Sequence, residues 1–195
     1  MTHTPIPQNT IFPVSAMLQI EMALAGAGSD LSALDRLVGH RLNLLAFCAI
    51  LKAQPSAGPA LTRALAPSFA TFLKRDFLSL ITEEEEGLLH HLERRLLLGD
   101  DLDDVIRQLS DEHRQDCQEA RQLAAACLEF ANGIDADWSD LCDAMAHFAE
   151  RQRRHLVWED ATILPVARER LTADDLTAWG EAMERRYRFI TCQAR

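Results

Sequence analysis

The sequence predicts an all-α protein, an up-down-up-down four-helix bundle with an attached N-terminal segment and a shorter C-terminal helix. Three observations predict it. Strand signals are nearly absent: there is one Tyr, Thr is sparse, and no Asn-Gly or Asp-Gly turn joins alternating segments. Four stretches instead repeat apolar residues three and four apart, the period of a helix with one buried face. Short connections between them make successive helices antiparallel neighbours. A chain of 195 residues suits one domain, because a fold of this size buries roughly 70% of the surface its unfolded chain exposes. The division is therefore an N-terminal segment, residues 1–30, and a bundle domain, residues 31–195.

The elements follow in order. In the first 30 residues VSAMLQIEMALA has the length of a short helix lying across the bundle, but the prolines before it and the GAGS after it make it an attached segment. After the cap signal Ser29-Asp30, the first helix carries Ala33, Leu37, His40, Leu44, Phe47 and Leu51, and Pro55-Ser56-Ala57-Gly58-Pro59 ends it. The second runs through Phe69, Leu73, Phe77, Leu80, Glu84, Leu88 and His91, with Pro67 expected in its first turns or as a kink. Gly99-Asp100-Asp101 closes it and caps the third, which carries Leu102, Ile106, Leu109, His113, Cys117, Ala120 and Ala124 and stops near Asn132-Gly133. The fourth carries Leu141, Met145, Phe148, Gln152, His155, Glu159, Ile163 and Val166. Thr172 caps the last helix, with Asp174 and Asp175 in its first turn.

Charge narrows the function. Thirty acidic against 20 basic residues give a net charge of −10, which repels phosphate backbones and anionic lipid, so neither nucleic acid nor a membrane surface is an expected partner. Five scattered cysteines without a CxxC pair indicate reduced core residues rather than a disulfide framework or a zinc ribbon. The N-terminus has no signal-peptide pattern and no window reaches the ~20 apolar residues of a membrane span. The expected location is the cytoplasm.

Polar residues on the seams carry the chemistry. A bundle seam should be apolar, since an unpartnered buried charge costs several kcal/mol, yet these seams hold His40, Glu84, His113, His155 and Glu159. His155 and Glu159 are four apart, stacked one turn from each other on one face. From His40 to Glu84 is 44 residues and from His113 to Glu159 is 46, so the chain reads as two helix hairpins of like design. The second holds His155 four before its glutamate, and the first holds Leu80 there. Imidazoles and carboxylates from four facing helices suit iron, manganese or zinc. None of the seven histidines has a Glu three before it, as ferritin-type di-iron bundles require, and there is no HExxH. The run Glu83-Glu84-Glu85-Glu86 is expected to send Glu84 inward and its three neighbours to a solvated face, with Glu83 near enough to Leu80 around the axis to substitute as a ligand. His3, His90 and His147 are expected to be exposed, RQRR at 151–154 to pair with acidic neighbours, and Cys117 to be a small core residue rather than a soft ligand.

HLVWEDATILPVAR (155–168), preceded by FAERQRR, resembles the last metal-binding helix of hemerythrin-like HHE cation-binding domains. RLVGHRLNLL around His40, FLKRDFLSLITEEEEGLL around Glu84 and LSDEHRQD around His113 are similar to that family's first, second and third helices, in order, over roughly residues 30–170. The resemblance implies a hemerythrin-like bundle and a non-haem iron centre of four histidines and two glutamates that binds or responds to O2, NO or redox state. By position it carries over His40, Glu84, His113, His155 and Glu159 as metal ligands. Leu80 stands where the second-helix histidine would be. The centre is thus expected to be degenerate, with one or two ions, the half with His113, His155 and Glu159 complete and the half with His40 weakened. A binding, sensing or iron-handling role is favoured over an enzyme, and a homodimer is left open. The competing reading is a metal-free interaction or regulatory module that keeps a vestigial site as buried polar pairs.

Overall fold

The computed structural model describes residues 31–193 apart from 98, 101, 135 and 136, with no side chain described in 188–193. The segment 1–30, including the Ser29-Asp30 cap, His3 and the helix expected within it, lies outside the described residues, as does the Cys192 side chain. Every regular element among the described residues is helical.

Ser32 caps α1 (Ala33–Lys52), its hydroxyl accepting from the Asp35 N–H at 3.2 Å. A four-residue helical turn, Gln54–Ala57, follows, and Gly58, at φ +82°, turns the chain into the next helix. The second rod, α2, starts at Pro59, ten residues before the expected first seam position at Phe69. It runs through Pro59–Phe72, Leu78–Glu83 and His90–Glu93, joined by π-helical turns at Leu73–Phe77 and Glu84–Leu89. Pro67 therefore sits inside the helix instead of opening it. The remaining helices are α3 (Leu102–Ala131), α4 (Trp138–Arg170) and α5 (Ala173–Gln193).

Helix α1 packs mainly on α4, and the first part of α2 mainly on α3. The core between them is apolar, with Leu37, Leu44, Phe47, Leu73, Phe77, Leu109 and Met145 all buried. Phe77 and Phe148 meet edge to face with centroids 5.3 Å apart. Cys48, Cys127 and Cys142 are buried free thiols and Cys117 is half-buried and free. Among the described residues no helix is long and apolar enough to cross a membrane.

The fifth helix is bound to α1 and to the second π-turn of α2. At its start Thr172 and Asp175 cap each other: the Asp175 carboxylate accepts from the Thr172 N–H at 2.9 Å, and the Thr172 hydroxyl accepts from the Asp175 N–H at 3.2 Å. Further along, fully buried Trp179 lies against Gly87, where any Cβ would land inside the indole ring. Glycine at 87 is thus required by the closeness of α5 to the turn that carries Glu84.

Candidate metal centre

Three neighbouring carboxylates of α2 leave the rod in three directions, because successive residues step ~100° around a helix. Glu83 turns to α5, where it accepts from Trp179 Nε1 at 3.1 Å and pairs with Arg186. Glu84 turns into the bundle and is 1% exposed. Glu85 turns to α3, accepting from the Ser110 hydroxyl at 2.8 Å and bonding His113 Nδ1. The expected solvated face is therefore held by Glu86 alone of the four, with Glu83 buried and Glu85 half-buried. Glu83 is also committed to Trp179 and Arg186, away from the position the sequence left for it beside Leu80. The π-turn starting at Glu84 is of the kind often found at functional sites.

From α3 and α4 come His113, His155 and Glu159, all buried. Their facing atoms form a compact set. The two Nε2 atoms are 3.1 Å apart, Glu84 Oε2 and Glu159 Oε1 lie 3.5 and 3.7 Å from His113 Nε2, and Glu159 Oε2 lies 3.6 Å from His155 Nε2. Donor atoms around one ion at ~2.1 Å stand ~3.0 Å apart in octahedral and ~3.4 Å apart in tetrahedral geometry. The separations among His113, His155 and Glu159 fit one ion after shifts of a few tenths of an ångström, and Glu84 Oε2 approaches this group from the His113 side. In addition Glu159 Oε1 is buried, lies 3.7 Å from His113 Nε2 and accepts no hydrogen bond, so its lone pair is unused. Among the described residues, His113, His155 and Glu159 also form a group whose donor atoms are mutually near enough to hold a metal ion.

Behind the ligand atoms stand carboxylates that orient the rings. Glu85 holds His113 Nδ1. Glu112 Oε2 and Asp116 Oδ2 lie 3.4 and 4.0 Å from His155 Nδ1, and Asp116 is in turn paired with Arg151 Nε at 2.6 Å. A cleft lined by Glu85, Glu86, Leu89, His90, Glu93 and Ser110 opens next to this outer layer.

The electrostatics are those of a crowded anionic site. Burial works against a charged His113, but the nearby Glu159 carboxylate, the hydrogen bond to Glu85 and the field of Glu84 outweigh it and lift the imidazole to about 10. His155 moves the same way, burial again opposing and Glu159 prevailing. Burial would raise Glu159, yet the two imidazoles and Arg41 hold it down at about 2. Glu84 is pushed upward by burial and by the negative Glu159, against the pull of Arg41.

Arg41 is the residue the sequence reading missed. Its Nε donates to Glu84 Oε1 at 2.9 Å, Nη1 to Asp160 Oδ1 at 2.9 Å, and Nη2 to Glu159 Oε2. His40, one step earlier, is half-buried, and the charges acting on its ring are Glu83, Asp76 and Arg36; burial leads in lowering its basicity. The structure thus brings Glu84, His113, His155 and Glu159 together, and what α1 adds to them is the guanidinium of Arg41. A signal was available: Leu37, Arg41, Leu44 and Cys48 repeat by four, three and four just as the stripe through His40 does, and two buried carboxylates require positive charge nearby. Leu80 is buried at 2% exposure. Of the other singled-out residues, His90 and His147 are exposed, and Arg151 and Arg153 pair with acidic neighbours.

The family model described as hemerythrin HHE cation binding domain matches residues 32–167. No curated protein and no solved structure matches the chain.

Proposed function

The chain belongs to the hemerythrin HHE cation-binding domain family, and on that premise we propose that it is a non-haem iron-binding protein with a degenerate centre. His113, His155, Glu159 and Glu84 are its ligands, and His40 stands outside the set. The observation that carries the reading is the convergence of two imidazole nitrogens 3.1 Å apart with buried carboxylate oxygens 3.5 to 3.7 Å away. Mixed imidazole and carboxylate donors favour iron, manganese or zinc over calcium or copper(I). Bound iron would supply a redox-active ion open to a small ligand such as O2 or NO, which suits sensing of those molecules or of redox state, or iron handling. The chain's own residues orient the imidazoles through Glu85, Glu112 and Asp116 and keep bulk water out.

The test is to load metal-free protein with ferrous iron anaerobically, remove the excess, and measure iron per chain and melting temperature with and without chelator. Bound iron should persist through desalting. At a free concentration of ~100 Kd it should stabilise the fold by ~2.7 kcal/mol, raising Tm by about 5–10 °C for a domain of this size. Zero retained metal with chelator-insensitive melting would sink the proposal in favour of a metal-free interaction module. That second reading draws on Arg41, which already gives the buried carboxylates a cation without any metal.

A further inference from the structure

We propose that the Arg41 guanidinium is the resident second cation of this centre, so that the site takes one metal ion per chain and not two. The inference rests on the metal reading above and deepens it. Each inward carboxylate reaches both the imidazole pair and the guanidinium, Glu159 Oε2 itself lying 3.6 Å from His155 Nε2 as well as against Arg41. Glu84 gives Oε1 to Arg41 Nε at 2.9 Å and turns Oε2 to His113 Nε2 at 3.5 Å. Glu159 gives Oε2 to Arg41 Nη2 and leaves Oε1 3.7 Å from His113 Nε2 without a hydrogen bond. Both carboxylates therefore bridge from the imidazole pair to the guanidinium, in the manner of carboxylates that bridge two ions in a bundle core.

Three features make Arg41 a fixed occupant. Its side chain is 4% exposed, and its three nitrogens are each engaged, by Glu84 from α2 and by Glu159 and Asp160 from α4. A guanidinium does not lose its proton in a protein, so the charge is permanent and cannot yield to a metal as an imidazolium does. Leu80, four residues before Glu84 on the same rod and buried, offers hydrocarbon and no nitrogen. A divalent ion entering this half would meet a positive charge already holding the oxygens it needs.

Anaerobic titration of metal-free protein with Co2+, followed by its visible absorption and by metal per chain, tests this. The wild-type chain should saturate at one ion, and Leu80→His alone should still take one, because Arg41 remains. Leu80→His combined with Arg41→Gln should rise above one toward two. Two ions in the wild type, or in Leu80→His with Arg41 intact, would overturn the proposal, as would a folded Leu80→His/Arg41→Gln protein that stays at one. Should that double variant not fold, the wild type and Leu80→His decide by themselves. Zero ions in the wild type would instead remove the metal reading, and this inference with it.

Discussion

The two halves of the buried centre share one pair of carboxylates and differ in everything else. Toward α3 and α4, Glu84 and Glu159 meet two imidazoles whose far nitrogens are backed by Glu85, Glu112 and Asp116. Toward α1 they meet the Arg41 guanidinium. One half presents lone pairs, and the other presents a cation. Buried carboxylates need positive charge but do not dictate its chemical form. A metal, a protonated imidazole and a guanidinium all neutralise them, and only the first is exchangeable.

The sharpest way to break this comparison is to remove one imidazole. His155→Ala should lower metal affinity by more than about 100-fold, since loss of even an outer-layer partner costs about 10–100-fold. Equilibrium dialysis measures it. Unchanged metal content would mean that the α3/α4 half is not where metal binds. The opposite half should answer differently. Leu80→Ala, a buried truncation, should cost about 2–5 kcal/mol of stability in denaturant unfolding, yet leave metal per chain as in the wild type.

A finer probe concerns the layer behind the ligands. Glu85→Gln keeps the shape of the side chain but removes the carboxylate that orients His113. It should weaken metal binding by about 10–100-fold and also lower melting of the metal-free protein near neutral pH, because Glu85 is one of the carboxylates that hold the His113 proton. An equal loss in Glu86→Gln, whose side chain is exposed and reaches Arg186 instead, would show that general negative charge, and not this contact, sets the affinity.

The helices and their seams were legible because burial imposes a period on the sequence. Leu141, Met145, Phe148, His155, Glu159 and Ile163 fall on one face by arithmetic alone, and all are buried. The family was legible from the same stripes read with their histidines. What the period could not settle was the choice between adjacent stripes of α1, since His40 and Arg41 are one step apart and each sits on a plausible 3–4 repeat. The acidic run hid its partners for a related reason. Residues 83 to 85 look like one charged face until the neighbours are placed, and then each has a different helix opposite it. The early start of α2 at Pro59 and its two π-turns left no sequence mark, because Pro67 ordinarily argues against a helix interior.

The last expected effect is a dependence on pH whose sign differs between stability of the metal-free protein and affinity for metal. In the metal-free protein His113 is held near 10 against an ordinary value of 6.5. Its proton therefore contributes stability that is fully present below pH 6.5 and is lost as pH rises through about 10. Metal requires the neutral ring and must expel that proton, so affinity should rise with pH over the same window, by about tenfold per unit where a single proton is displaced. Melting of the metal-free protein should thus fall from pH 7 to pH 9 while metal affinity climbs. The α1/α2 half should stay silent, because Arg41 keeps its charge throughout. If Arg41→Lys, whose ammonium can titrate when buried, steepened the pH dependence of metal affinity, the guanidinium's constancy would be exposed as part of how this centre is tuned; an unchanged slope would confine the pH response to His113 and its carboxylates.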